Sequence, residues 1–189
     1  VDSSGQTDIG ERFGILIEDV DRLAKRMGGK EVEVQYVHQD STDYQQITLV
    51  ALFQYMIGNT DWSVPGLHNI KLISSPEPGA RLIPVPFDFD HAGVISTYYA
   101  KPDPRLPIES VEERLYRGFW RPVDSLAPEL DRFRKAKAAI FSEYEAFPYL
   151  KEKVIRRMLK YYDRFYGIIN DPKAVEREFI RNCRRSLAE

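Results

Sequence analysis

The chain has 189 residues and 43% hydrophobic content, enough for one globular domain with a sizeable core and too apolar for disorder. Twenty-seven basic against 29 acidic residues leave a formal charge of −2, so no overall basic field draws the chain onto nucleic acid or an anionic membrane. No segment approaches the roughly 20 apolar residues of a membrane span, and the single cysteine, Cys183, excludes an internal disulfide and any multi-cysteine zinc site. Because the chain opens at Val1, removal of an upstream segment is expected. A secreted or envelope location follows if that segment is a signal peptide, and a cytoplasmic one otherwise.

Residues 1–11 read as a polar, glycine-containing lead-in. Phe13, Gly14, Ile15, Leu16 and Ile17 form a short apolar run ending at Glu18 and Asp19, the pattern of a buried strand whose end meets solvent. Val20, Leu23, Ala24 and Met27 then recur at helical spacing until Gly28-Gly29, a pair suited to a helix C-terminus. Alternation of Val32, Val34 and Tyr36 or Val37 predicts a short strand over 31–37. Over 43–58 the apolar positions wrap nearly all round a helix, which predicts a central one surrounded by other elements.

A loop carrying Asn59, Asp61, His68 and Asn69 follows, and leads into a strand at Ile70 and Leu72. Glu77-Pro78-Gly79 marks a turn, and residues 81–86 a second strand, so the two form a hairpin with Asp88-Phe89-Asp90-His91 at its end. Pro102, Pro104 and Pro107 indicate an ordered extended loop over 98–108. Ser110 and Glu113 form a capping-box pattern for a helix over 111–117. Three more helices are expected, over about 124–146, 149–166 and 171–187. The arginines Arg114, Arg117, Arg121, Arg132 and Arg134, with Arg184 and Arg185, read as solvated helix faces. The fold class is therefore α+β and mostly helical, in one domain: the lead-in, a core over 12–120, and a helical subdomain over 121–189.

The densest chemistry lies between Gly58 and Gly93. Pairing of the two strands brings Asn69 close to the Asp88 segment and creates an oxygen-rich pocket of the kind Mg²⁺ or Mn²⁺ prefers. The order of parts is an apolar helix, a loop with Asp then Asn, a short hairpin, then Asp-Phe-Asp; protein kinase-like enzymes share it. Gly58-Asn59-Thr60-Asp61-Trp62 with His68-Asn69, and Pro84-Val85-Pro86-Phe87-Asp88-Phe89-Asp90, resemble the spore coat protein H (CotH) kinase family, an atypical protein kinase-like group.

The resemblance covers roughly residues 12–120 and implies a kinase C-lobe-like fold and phosphoryl transfer from ATP, with Mg²⁺ or Mn²⁺, to a protein or small-molecule hydroxyl. It gives Asp61 the catalytic-loop aspartate role, Asn69 the metal amide, Asp88 the metal carboxylate and Asp90 a second carboxylate beside it. It places Glu18 and Asp19 at a nucleotide-binding hinge, with Asn59, His68 and His91 in supporting positions. Asp61 and Asn69 are eight positions apart, against five in the usual kinase pattern, so Val64-Pro65-Gly66 has to bulge out. No Gly-x-Gly-x-x-Gly and no Val-Ala-Ile-Lys equivalent occurs in the sequence, so the nucleotide-covering lobe is expected to be missing from this chain. The apolar face around 13–17 would then be left exposed or pair with another copy of the chain. Three other readings stay open on sequence alone: a non-catalytic kinase-like nucleotide- or protein-binding domain, a metal-dependent hydrolase, and a secreted interaction domain.

Overall fold

A computed structural model describes residues 14–184. The described chain is α+β: five α-helices, one two-stranded antiparallel sheet and short 3₁₀ and π segments. None of these helices is long and apolar enough to cross a membrane.

Helix α1 (Val20–Arg26) starts where the Asp19 carboxylate accepts from the amides of Asp21 and Arg22, and stops at Gly28, which takes φ +74°. Helix α2 (Tyr44–Ile57) is capped by Asp43, whose carboxylate accepts from Gln46 N, and ends at Gly58 in the left-handed region. Its side chains are buried from Ile47 through Ile57 on almost every side, as the continuous apolar pattern predicts. Strands β1 (Ile70–Ile73) and β2 (Ile83–Pro86) pair in the register Ile70↔Pro86 to Ile73↔Ile83. The turn at Glu77-Pro78-Gly79 closes through Ala80 N donating to Glu77 O, with Gly79 at φ +78°.

Helices α3 (Val123–Ala146) and α4 (Glu152–Ile169) pack on α2 and on each other. Met158, Tyr161, Tyr162, Phe165, Tyr166 and Ile169 give α4 one continuous buried stripe at helical spacing. Helix α5 (Pro172–Val175), capped by Asp171, runs into a π segment over Glu176–Arg181 whose Phe179 is fully buried. The chain then returns along 118–120, with Arg184 N donating to Gly118 O.

Five expectations need correction. Residues 14–17 form no strand, and Ile15, Leu16 and Ile17 are exposed by 82% or more; Phe13 lies outside the described residues. Among the described residues no strand pairs with this segment, so an apolar run alone does not make a sheet. Over 31–37 the chain makes one bridge, Glu31 to Ile73, and then leaves the sheet edge, where Tyr36 N donates to Pro65 O. At 110–117 the capping box forms, with Glu113 Oε1 accepting from Ser110 N at 2.9 Å, yet no helix grows from it. Arg114 and Arg117 instead turn inward onto backbone carbonyls, which holds the segment out of helical geometry. The helices placed at 149 and 171–187 also differ: α4 begins at Glu152, and the last segment changes to π geometry, with residues 185–187 outside the described residues.

A Cβ at Gly58 would strike the Tyr161 hydroxyl and lie 3.4 Å from Gly93 Cα, at a φ that already disfavours a side chain. Gly79 also has a positive φ, but nothing lies within 4 Å of its Cβ position. Gly58→Ala should therefore lower stability by about 3 kcal/mol, and Gly79→Ala by only about 1 kcal/mol. Urea titration of the two variants against the parent chain measures the difference.

Candidate functional site

The site is built at the C-terminal end of α2. Asn59 N donates to Gln54 O at 2.8 Å and Gly58 N to Tyr55 O at 3.2 Å, so the helix closes tightly and throws the following residues into a loop. Asn59 is buried, and its Oδ1 accepts from Asp61 N at 2.9 Å, a local bond that sets the backbone on which Asp61 sits. Arg117 reaches across to the carbonyls of Thr60 and Trp62 and fixes the loop from the other side.

Between Asp61 and Asn69 the chain makes a miniature hairpin. Ser63 N donates to His68 O at 2.9 Å and His68 N to Ser63 O at 3.0 Å, while Leu67, at φ +49°, closes the turn onto Val64 O. The segment Val64-Pro65-Gly66 thus loops out as the spacing requires, and Asp61 and Asn69 meet at its base. Asn69 Nδ2 donates to Asp61 O at 2.8 Å and to Asp61 Oδ2 at 3.1 Å, and His68 Nε2 donates to Asp61 Oδ1 at 2.7 Å. A carboxylate only accepts, so His68 carries its proton on Nε2 in this contact. With Nδ2 committed, Asn69 Oδ1 remains as the acceptor.

The ladder of β1 and β2 continues one step further, with Phe87 N donating to Asn69 O at 3.1 Å. Asp88 follows directly at φ +54°, and Asn69 has φ +52°, so both chains turn sharply at the same end of the hairpin. Asp88 is exposed, and its carboxylate has no hydrogen bond or ion pair among the described residues. Phe89 packs edge-on against Phe53 of α2 at 5.4 Å between ring centroids, so the residue between Asp88 and Asp90 anchors this segment. The Asp90 carbonyl accepts from Thr97 Oγ1, and the His91 ring lies 6.0 Å from that of Tyr99. Two backbone bonds, Gly93 N to Gly58 O and Val94 N to Ile57 O, tie this stretch back to the end of α2.

Asn59, Asp61, His68 and Asn69 therefore form one hydrogen-bonded group, with Asp88 next to Asn69's backbone partner. Glu18 and Asp19 are engaged locally at α1: Glu18 pairs with Arg26 at 2.9 Å, which holds its carboxyl below the ordinary range, and Asp19 caps the helix. Among the described residues, no three His, Cys, Asp or Glu side chains are grouped to hold a metal ion. The oxygen donors that this end of the hairpin offers are Asn69 Oδ1 and the Asp88 carboxylate, with Asp90 two residues further on.

Beside Asp61 and His68 opens a cavity of about 460 Å³, lined also by Thr60, Trp62, Lys101, Asp103, Arg105 and Arg117. This wall lies outside the motif residues. Its signal was the alternation Pro102-Asp103-Pro104-Arg105, in which proline stiffens the backbone and so fixes the charges. Arg114, Arg117 and Arg121, expected on solvated faces, are inward clamps: Arg114 bonds the carbonyls of Tyr55, Met56 and Tyr161, and Arg121 bonds Thr48 and Asp40. Comparison of the chain with family models, with curated proteins and with solved structures finds no match.

Asn59→Ala removes the bond that orients Asp61 and should cost about 1 kcal/mol in a urea titration, with faster hydrogen exchange at the Asp61 amide. His68→Gln, at an exposed hydrogen bond, should change stability by less than about 0.5 kcal/mol. Equal effects of the two would mean that Asn59 does not set the loop.

Proposed function

We propose that this chain is a kinase C-lobe-like phosphotransferase domain resembling the CotH group, acting with Mg²⁺ or Mn²⁺ and ATP on a protein or small-molecule hydroxyl. The observation that carries the reading is the Asn69 side chain: its nitrogen is held by Asp61 while its backbone pairs beside Asp88. This juxtaposition supports reading Asp61 as the catalytic carboxylate, Asn69 as an amide ligand and Asp88 as a carboxylate ligand. The exposed run Ile15, Leu16 and Ile17 before Glu18 and Asp19 suits the hinge against which an adenine ring would rest.

In this reading Asp61 orients the acceptor hydroxyl and takes its proton as the oxygen bonds to the γ-phosphorus. The bond from that phosphorus to the bridging oxygen breaks, and ADP leaves with the electron pair. Asp61 then returns the proton to solvent. His68 and Asn69 each bind one oxygen of the Asp61 carboxylate and hold its plane fixed while the remaining lone pairs face the acceptor. Asn69 Oδ1 and the Asp88 carboxylate, with Asp90 beside them, are the groups that would hold the metal. When bound, the ion neutralises charge on the phosphate oxygens.

Addition of Mn²⁺ with ATP to the ¹⁵N-labelled chain should broaden the amide signals of Asn69 and Asp88 selectively. Asp88→Asn should weaken the effect about tenfold, the loss of one charged ligand. Unselective broadening, or none at these two residues, would overturn the proposal. Selective broadening without phosphoryl transfer to any hydroxyl would favour the non-catalytic form of the same fold.

A further inference from the structure

The cavity beside Asp61 has a charge arrangement that phosphoryl transfer itself does not require. Arg117 is half-buried, has no carboxylate partner among the described residues, and uses only Nη1, on the carbonyls of Thr60 and Trp62. Its Nε–H and Nη2–H donors are uncommitted there. Its guanidinium lies 5.8 Å from the centre of the Trp62 ring, and burial first, then Arg184, disfavour its charge by more than Asp103 and Asp61 favour it, so an anion at its free donors would be welcome. Lys101, on the proline-stiffened loop across the cavity, is exposed and likewise unpaired among the described residues.

The two carboxylates of the lining are engaged elsewhere. Asp103 grips Arg105 through Nε and Nη2, and this contact holds the Asp103 carboxyl at about 2, so the pair stays ionised and neutral as a unit through the ordinary pH range. Asp61 is bound by His68 and Asn69. Lys101, Arg105 and Arg117 thus share one concavity with Asp61 and Asp103, and once Asp103 is taken with Arg105 the lining keeps a surplus of one positive charge, Arg117 and Lys101 against Asp61. A lone surface lysine would mean little. A half-buried guanidinium with free donors beside it marks a place for an anion.

We propose that this cavity is the acceptor site and that it selects a small hydroxyl compound bearing a phosphate or carboxylate, read by Arg117 and Lys101, with its hydroxyl toward Asp61. The word acceptor rests on the phosphotransferase reading; the anion site does not. A volume of about 460 Å³ matches a molecule of amino-acid or sugar-phosphate size, and Trp62 and Leu106 supply apolar wall for its carbon skeleton.

The test is an NMR titration of the ¹⁵N-labelled chain with glycerol 3-phosphate and with N-acetylserine, one probe for each anion, and with glycerol as the uncharged control. The stronger of the two charged probes should shift the amides of Thr60, Trp62, Lys101 and Leu106 and bind about tenfold or more tighter than glycerol. Lys101→Glu, at an exposed position that leaves the fold intact, should weaken that binding about tenfold while the Mn²⁺-ATP broadening at Asn69 and Asp88 is unchanged. Arg117→Lys is the second variant: it keeps a donor for the loop carbonyls but lacks the guanidinium fork, and should also weaken the charged probe. Charged and uncharged probes binding alike, or shifts confined to other surfaces, or a Lys101→Glu variant that binds as the parent does, would overturn the proposal. If the anion binds while Mn²⁺-ATP leaves Asn69 and Asp88 untouched, the anion site stands and the phosphotransferase reading fails.

Discussion

The C-terminal end of α2 is buried, so the helix has to find partners for its last carbonyls inside the protein. It does so in three ways. Gly58 and Asn59 fold back onto Tyr55 and Gln54, Arg114 bonds the carbonyls of Tyr55 and Met56, and the stretch after Asp90 donates to Ile57 and Gly58. Each solution places a part of the site. The first launches the loop toward Asp61, and the third holds the Asp88 segment against the same helix end. The hairpin then has little freedom left, because its two ends emerge from segments already fixed to one point.

The arginines of residues 114–121 complete this arrangement from outside the loop. Arg114 stacks on the Tyr161 ring at 3.7 Å and bonds the Tyr161 carbonyl, joining α4 to the end of α2. Arg117 holds the carbonyls on either side of Asp61, and Arg121 lies over Tyr44 while bonding Thr48 and Asp40 near the start of α2. One irregular stretch of chain thus contacts the helix along its length. A regular helix over 111–117 would point these side chains in several directions, and the carbonyls they satisfy would be left bare.

Much of this was legible in the residues. The apolar wrap of 43–58, the stop at Gly28-Gly29 and the Pro78-Gly79 turn follow from local periodicity and turn chemistry, while the meeting of Asp61 with Asn69 across Val64-Pro65-Gly66 was an expectation of the family resemblance alone. What was not legible depends on distant partners. Ile15, Leu16 and Ile17 read as a strand, but a strand exists only with a neighbour to pair with. Ser110 and Glu113 read as a helix start, but carbonyls some 50 residues or more away in sequence decide where Arg114 and Arg117 go. The charged wall around Lys101 and Arg117 likewise comes from loops whose contact with Asp61 no periodicity announces.

Asn69 and Asp88 both hold a backbone conformation that glycine would adopt without strain, and neither is glycine. The strain of a left-handed backbone, about 1 kcal/mol at each position, is eased for Asn and Asp by their short polar side chains but not removed. At Asp88, whose carboxylate has no partner among the described residues, folding alone would be served as well or better by glycine, whereas at Asn69 the two bonds to Asp61 offset the strain. A lineage in which this site had lost its use would be free to drift toward glycine at 88, and at 69 only with the loss of those bonds. The identity of those two residues in related chains, set beside the persistence of the surrounding turn, is therefore a record of whether the chemistry is still under selection.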